Sequence, residues 1–190
     1  MTPYARFGKR LFDVAASTAA LVVLSPVLAV TAVAVRVEDR GPALFVSERV
    51  GRDGKLFKFL KFRSMPVNTA HVPSNSAGAL QITRTGRVIR RTSIDELPQL
   101  FSILRGDMSV VGPRPAIPAQ ETLRQLREEN GALACRPGLT GLAQINSYDA
   151  MPEDVKAAYD GKYAQHISLL GDLKIILGTF RYLLSPPPAY

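Results

Sequence analysis

The feature that most restricts how this chain can fold is an apolar stretch, residues 14–35, with no charged side chain. A helix of about 20 apolar residues is long enough to span the hydrocarbon core of a bilayer. The stretch exceeds the apolar core of a cleaved signal peptide, and the run Lys9-Arg10-Leu11-Phe12-Asp13 precedes it. We therefore expect a membrane segment that is retained.

The middle and the flanks of this stretch bear on its topology. Pro26 removes a helix hydrogen bond, and the hydroxyl of Ser25 can bond to a carbonyl that the proline leaves free. The basic flanking residues are Arg6, Lys9, Arg10, Arg36, Arg40, Arg49, Arg52 and Lys55. The positive-inside rule would place both flanks in the cytoplasm. A single crossing stays open as an alternative, but the flanks favour a helix-break-helix hairpin that enters and leaves one leaflet.

Two adjacent carboxylates stand in the run Asp95-Glu96-Leu97-Pro98-Gln99. Apolar residues at helical spacing, with Pro98 in a first turn, predict a helix that begins near Asp95. The N-terminus of such a helix would lower the pKa of both carboxyl groups and attract phosphate. An ionised carboxylate there can attack phosphorus or bind a Mg²⁺ ion that neutralises a diphosphate. The alternative is structural, because Ser93 and Glu96 fit a capping box, and the motif alone favours capping.

The charge balance indicates an acidic partner. The chain has 24 Lys and Arg against 16 Asp and Glu, a net charge of +8, so phosphate, nucleic acid or an anionic membrane would fit. We do not expect nucleic acid, because aromatic residues are not interleaved with the basic ones as a stacking platform. A membrane-anchored scaffold has no need of ordered acidic and arginine motifs. One cysteine, Cys135, fits a reducing compartment, and the distant His71 and His166 do not suggest zinc.

A first basic segment follows the turn predicted at Gly51-Arg52-Asp53-Gly54. Residues 56–62 alternate cationic and apolar side chains and predict a strand. We expect its cations to face phosphate or lipid headgroups while its phenylalanines pack inward. The cations are Lys58, Lys61 and the following Arg63, and the phenylalanines are Phe57, Phe59 and Phe62. A solvated edge strand is the alternative.

Two further segments are candidates for phosphate binding. A helix from Gly86 would place Arg87, Arg90 and Arg91 on one face, and guanidinium groups bind phosphate bidentately. A solvated basic helix would show the same pattern. Arg114 lies between two prolines in a stiff loop, which suits an anion clamp or a plain structural turn. Residues 167–184 predict an amphipathic helix, either packed on the core or lying in a membrane interface.

Five blocks, in this order and spacing, resemble the bacterial sugar transferases, the small catalytic-domain-only type of monotopic polyprenol-phosphate phosphoglycosyl transferase. They are Lys9-Arg10-x-x-Asp13 with Ser25-Pro26; Arg49-x-Gly51-x-x-Gly54-Lys55 to Lys61-Phe62-Arg63-Ser64-Met65; Asp95-Glu96-Leu97-Pro98-Gln99; Gly106-Asp107-Met108-Ser109 to Gly112-Pro113-Arg114-Pro115; and Arg136-Pro137-Gly138-Leu139-Thr140-Gly141-Leu142-Ala143-Gln144.

The resemblance implies transfer of a phosphosugar from a nucleotide sugar, expected to be a UDP-sugar, to undecaprenyl phosphate, with release of UMP. It implies Asp95 as nucleophile, Glu96 as its partner, Mg²⁺ as the metal held at this pair, and a hairpin broken at Ser25-Pro26. We expect Lys61, Arg63, Arg90 and Arg114 to bind substrate phosphates. The expected location, among membrane lipids, is the cytoplasmic face of the bacterial inner membrane.

The expected architecture is α+β and mostly helical. Residues 1–37 would form the basic flank and re-entrant membrane hairpin. Residues 38–190 would form a small cytoplasmic catalytic domain with amphipathic interfacial helices. One departure concerns the donor: Asn146-Ser147-Tyr148-Asp149 stands where the family often has Asn-Gly-Arg-Asn, so an arginine expected there is missing.

Overall fold

The computed structural model describes residues 2–69, 82–146 and 151–184. The helices are α1 Lys9–Asp39, α2 Arg84–Arg91, α3 Gln99–Arg105, α4 Glu121–Glu129, α5 Leu142–Asn146, α6 Glu153–Gln165 and α7 Leu169–Leu184. The strands are β1 Leu44–Val50, β2 Leu56–Phe62, β3 Ser109–Val111 and β4 Gly138–Thr140. The prediction of a mostly helical α+β chain is confirmed, and the apolar N-terminal stretch lies in one long helix.

Helix α1 runs through Ser25 and Pro26 without interruption. The hydroxyl of Ser25 donates a hydrogen bond of 2.8 Å to the carbonyl of Val22, the group that a backbone N–H at position 26 would otherwise bond. This local repair lets the helical backbone continue past the proline. The structure therefore does not confirm the expected helix-break-helix, and the hairpin stays a prediction.

Both ends of α1 attach to the same body of the protein. Near the N-terminal end, Lys9 Nζ lies 3.0 Å from a carboxylate oxygen of Asp172 in α7. Near the C-terminal end, Asp39 lies 3.4 Å from a guanidinium nitrogen of Arg63, just after β2. The middle of the helix is largely exposed, with Val23 at 74%. The helix has 31 residues and is roughly 45 Å long. One side of its middle packs on the core through Ala20, Leu21, Leu28 and Ala32, and the opposite side is exposed.

Glu38, in the last turn of α1, also determines where α2 begins. Its two carboxylate oxygens accept hydrogen bonds from the backbone N–H groups of Arg84, at 2.7 Å, and Thr85, at 3.0 Å. The hydroxyl of Thr83 accepts a third, from Gly86, at 2.9 Å. Three of the N–H groups that a helix N-terminus leaves without an intrahelical partner are satisfied in this way.

Strands β1 and β2 form an antiparallel hairpin around the predicted turn, and β3 and β4 pair in parallel. Residues directly paired across an antiparallel ladder lie on the same face of the sheet. The register pairs Phe45 with Lys61, Ser47 with Phe59 and Arg49 with Phe57. One face of the hairpin therefore carries all six of these side chains.

Three of the buried apolar clusters among the described residues bear on the positions of these elements. One joins Phe59 of β2 to Leu100 and Ile103 of α3, with Met108 beside them. A second joins α1, β2 and α2 through Val35, Phe62 and Ile89. The third joins β3, α6 and α7 through Val111, Tyr163 and Ile175. The first two clusters lie under the residues around Asp95 and fix the relative positions of α2, α3 and β2.

Helix α7 has two apolar faces. Ile175 is buried in the core, while a stripe along the other side is exposed. The exposed residues are Leu170, Leu173, Leu177, Phe180 and Leu184, with Leu170 at 72%. The predicted packing on the core is confirmed, and the exposed stripe has a spacing of three to four residues, as expected for one face of a helix.

Candidate active site

Asp95 and Glu96 lie in a short 3₁₀ turn, Ile94–Glu96, ahead of α3. The chain enters this turn through Ser93 in a left-handed backbone conformation, with φ of 54°. The α-helix itself begins only at Gln99, so the predicted helix start near Asp95 is wrong by one turn. The capping box is not formed either, because the Ser93 side chain caps no N–H group and the Glu96 side chain turns to Arg114.

Asp95 is 7% exposed, and its pKa is raised to about 6. Burial is the main cause, because it disfavours the charged form, and the negative charge of Glu96 adds to it. Lys61, Arg90 and Arg114 act in the opposite direction. The predicted lowering of the pKa is therefore wrong for Asp95. Its side chain makes no hydrogen bond or ion pair with any other described residue.

Glu96 behaves differently from its neighbour. Burial would raise its pKa, but the charge and hydrogen bond of Arg114, with the charge of Lys61, outweigh burial and lower it. The Nη2 atom of Arg114 donates to Glu96 Oε1 at 2.7 Å. The direction predicted for Glu96 is thus correct, although the cause is an arginine and not a helix N-terminus.

Three of the four predicted phosphate-binding cations act on Asp95. Burial lowers the pKa of Lys61, which the charge of Asp95 opposes. Arg90 reaches the site from α2, where its Nε donates to the hydroxyl of Ser64 at 2.8 Å. Arg114 reaches it from the loop after β3. These side chains come from separate elements and surround two carboxylates with positive charge.

The fourth cation, Arg63, lies elsewhere. It is largely buried and pairs with Asp39 at the end of α1, and it is not among the charges that shift the pKa of Asp95. Lys58 also departs from prediction, because strand alternation turns it to the opposite face from Lys61, where it is exposed. In α2, Arg87 and Arg91 are exposed and only Arg90 turns inward. The three arginines stand at i, i+3 and i+4 of α2, as predicted, but only Arg90 is among the charges that shift the pKa of Asp95.

Sequence reasoning missed Arg49 as part of this site. Burial lowers its pKa, with a further contribution from Arg114, while the charge of Glu96 opposes both. Its guanidinium lies 5.3 Å from the ring centroid of Phe59, within range of a cation–π contact. The signal was present in the predicted turn: counting back across Gly51–Gly54 pairs Arg49 with Phe57, on the same face as Lys61.

The carboxylates can be tested for their fit to a metal ion. Among the described residues, no three or more His, Cys, Asp and Glu side chains lie close enough together to hold a metal ion by themselves. Mg²⁺ is usually bound by one or two carboxylates together with substrate phosphates and water. Asp95 and Glu96 supply two adjacent carboxylates, and the oxygens of Asp95 are not engaged elsewhere, so the pair fits such an ion. Residues 147–150, most of the departure from the family pattern, lie outside the described residues.

Comparison with known proteins gives a consistent result. A family model described as bacterial sugar transferase matches residues 4–186. The undecaprenyl-phosphate galactose phosphotransferase of Salmonella typhimurium is 38% identical over 97% of this chain and 42% of its own length. The UDP-glucose:undecaprenyl-phosphate glucose-1-phosphate transferase of Caulobacter vibrioides is 41% identical over 96% of this chain and 72% of its own length.

A third relative acts on another sugar. The UDP-N-acetylgalactosamine-undecaprenyl-phosphate N-acetylgalactosaminephosphotransferase of Aeromonas hydrophila is 37% identical over 97% of this chain and 45% of its own length. The chain thus spans less than half the length of the Salmonella and Aeromonas proteins. The family model covers the long apolar helix α1, the carboxylate pair and the surrounding cations alike. By this match, the chain belongs to the bacterial sugar transferase family.

Proposed function

We propose that this chain transfers a sugar 1-phosphate from a UDP-sugar to undecaprenyl phosphate, giving undecaprenyl-diphosphate-sugar and UMP. The names of the Salmonella, Caulobacter and Aeromonas relatives support this class of reaction. The structural observation that carries the proposal is Asp95, a buried carboxylate whose pKa is raised to about 6, next to the Glu96–Arg114 ion pair. Such a carboxylate is ionised at neutral pH. Because it makes no hydrogen bond or ion pair with another described residue, no such contact has to be given up before it attacks phosphorus.

The first half of the reaction uses Asp95 as a nucleophile. A carboxylate oxygen forms a bond to the sugar-bearing phosphorus, and the bond from that phosphorus to the bridging oxygen breaks. UMP leaves with the electron pair, and the sugar phosphate remains on Asp95 as an acyl phosphate. Lys61, Arg90 and Arg114 bind the phosphate oxygens, where charge-assisted hydrogen bonds orient the donor for in-line attack.

In the second half, an oxygen of the lipid phosphate attacks the same phosphorus. The bond to Asp95 breaks, the carboxylate is regenerated and the lipid diphosphate sugar is formed. Glu96 stays ionised and holds Arg114 in place throughout both halves. A Mg²⁺ ion held by the carboxylates of Asp95 and Glu96 would supply neutralisation of the donor's diphosphate charge.

The attachment of α1 at both ends supports a monotopic placement. A crossing helix would put its two ends on opposite sides of the bilayer, whereas Lys9 and Asp39 contact one body of the protein. We therefore propose that both ends of α1 stay on the cytoplasmic side and that the exposed apolar side of its middle contacts the hydrocarbon of the cytoplasmic leaflet; a return within that leaflet would require a bend at Pro26. The exposed apolar stripe of α7 fits the interface of the same leaflet. This placement puts the site at headgroup height, within reach of a lipid phosphate.

The test is a screen of UDP-sugars, with the protein in nanodiscs that contain undecaprenyl phosphate, and UMP as the readout. One or more sugars should give Mg²⁺-dependent release of UMP and a lipid-linked product. Without the lipid, labelled UDP-sugar should release one equivalent of UMP and leave label on Asp95, identified by mass spectrometry. Asp95→Asn is the control and should do neither. Label on Glu96 would exchange the two roles, and UMP release that strictly requires the lipid would contradict the covalent intermediate.

A further inference from the structure

A buried ion pair joins α4 to α6 on the far side of the loop that carries Arg114. Arg127 is 5% exposed and Asp160 is 1% exposed. The Nε and Nη2 atoms of Arg127 both donate to Asp160 Oδ2, at 2.9 and 2.6 Å. Burying two charges costs a large desolvation free energy, so well-packed apolar residues are often at least as stable in such a position. Stability alone is therefore a weak explanation for this pair.

The third nitrogen of the same guanidinium provides a second role. Nη1 of Arg127 donates a hydrogen bond of 3.0 Å to the backbone carbonyl of Arg114. The side chain of Arg114 in turn reaches Glu96 at 2.7 Å. A planar guanidinium can hold a carboxylate and a carbonyl at once in fixed directions, which a lysine ammonium cannot do. The chain of contacts runs from Asp160 through Arg127 and Arg114 to Glu96.

The backbone around Arg114 shows what this contact adds. On one side, the carbonyl of Pro113 accepts from Gly138 at 2.8 Å, and on the other, Ala116 accepts from Val50 at 2.9 Å. These bonds fix the two ends of the loop. The contact from Arg127 fixes the peptide of Arg114 itself, from which the catalytic-site guanidinium projects.

We propose that Arg127, oriented by Asp160, is a positioning residue that sets where the Arg114 guanidinium meets Glu96 and the donor diphosphate. This inference rests on the proposed phosphate-binding role of Arg114. Without Arg127, the carbonyl of Arg114 loses its buried donor and the peptide can rotate. The guanidinium then shifts relative to Glu96 and to the phosphate oxygens, so donor binding and catalysis weaken while the fold persists.

The test replaces the pair and not one member, because a lone buried charge would destabilise the protein. Arg127→Met/Asp160→Leu should keep or raise the thermal midpoint in the same nanodiscs. We expect its KM for the UDP-sugar to rise on the order of tenfold to a hundredfold, as for a misplaced binding group. Arg127→Lys should also raise KM. The matched control is Arg124→Met, one turn earlier on α4 and exposed, which should leave KM unchanged.

A double-mutant cycle with Arg114→Gln separates this inference from the proposed function. If Arg127 acts through Arg114, the Met/Leu pair should add little to the defect of Arg114→Gln. Wild-type KM in Arg114→Gln would overturn the phosphate role of Arg114. A defect in Arg114→Gln together with wild-type kinetics in both Arg127→Lys and the Met/Leu pair would overturn the positioning role alone. Fully multiplicative defects would also overturn it. If the Met/Leu pair does not fold, Arg127→Lys in the same cycle decides the question.

Discussion

The Nη2 atom of Arg114 lies 2.7 Å from Oε1 of Glu96, while the adjacent Asp95 has no such partner among the described residues. The two neighbouring carboxyl groups therefore differ in pKa, with Glu96 lowered and Asp95 raised to about 6. Titratable pairs whose environments separate their pKa values often divide the chemical roles between them. In the proposed mechanism, Glu96 stays ionised and Asp95 is the nucleophile.

Asp95→Asn should abolish turnover and stabilise the protein at neutral pH. The pKa of Asp95 is raised from its usual 3.8 to about 6, because the folded state disfavours the charged form. The free energy of unfolding of the protein should therefore fall as the pH rises through this range. The penalty at pH 7.5 is at most about 3 kcal/mol. Thermal midpoints in nanodiscs should therefore be higher for Asp95→Asn than for wild type at pH 7.5, with a smaller difference at pH 5. A lower midpoint at pH 7.5 would show that the charge is compensated in the folded state.

Glu96→Gln should have the opposite effect on stability. Its lowered pKa means that the ionised form contributes stability above the usual value of 4.5, and this contribution is lost as pH falls. The variant should melt below wild type at pH 7.5, and the gap should narrow in acid. Equal thermal midpoints of the variant and wild type at pH 7.5 would indicate that the Glu96–Arg114 ion pair does not stabilise the protein.

The release of UMP without lipid should depend on the ionisation of Asp95. Its rate, measured by rapid quench, should fall as pH drops through about 6, because the protonated carboxyl group is a poor nucleophile. Bound Mg²⁺ should move the midpoint to lower pH, because a cation favours the carboxylate. Chelation by EDTA should stop release and added Mg²⁺ should restore it. Because the assay itself needs Mg²⁺, the measured midpoint should lie between the usual 3.8 and about 6, and a rate that does not fall between pH 7 and pH 4 would argue against a titrating nucleophile.

The topology of α1 can be tested by cysteine labelling. Cysteines introduced at Thr2 and Asp53, in a Cys135→Ser background, should react only with reagents that reach the cytoplasmic face. This follows because both ends of α1 contact the same body of the protein. Labelling of either position from the periplasm would establish a crossing helix.

Ser25 should matter only while position 26 is proline. Ser25→Ala leaves the carbonyl of Val22 without the hydroxyl that satisfies it, which in a membrane costs about 1 kcal/mol. Ser25→Ala/Pro26→Leu restores a backbone N–H at position 26 and should recover that stability. Thermal midpoints of the two variants provide the comparison. If the single variant melts like wild type, the hydroxyl contributes nothing.

Sequence reasoning identified those residues around Asp95 that lie next to each other or within short segments of the chain. Asp95 and Glu96 are adjacent, and Arg90 and Arg114 lie in short motifs, so a linear pattern contains them. The alternating strand pattern on its own grouped Lys58 with Lys61, although only Lys61 was among the residues expected to bind phosphate; the strand pairing places the two on opposite faces. The pKa of Asp95 was predicted in the wrong direction because burial, which depends on the tertiary fold, outweighs any helix N-terminus.

The composition of the chain predicted an apolar membrane segment but not the course of its backbone. Length and charge identified α1, but they did not predict that its backbone continues through Pro26, where the hydroxyl of Ser25 bonds to the carbonyl of Val22. The Arg127–Asp160 pair lay outside sequence reasoning altogether. Its members are 33 positions apart, on different helices, and no motif marks them.

Glu38 links the apolar helix α1 to the candidate active site. The same carboxylate that ends α1 supplies two of the acceptors that start α2, the helix that presents Arg90 to Asp95. A shortened variant that lacks α1 would therefore also lack the two acceptors that Glu38 supplies to the first turn of α2, the helix that carries Arg90.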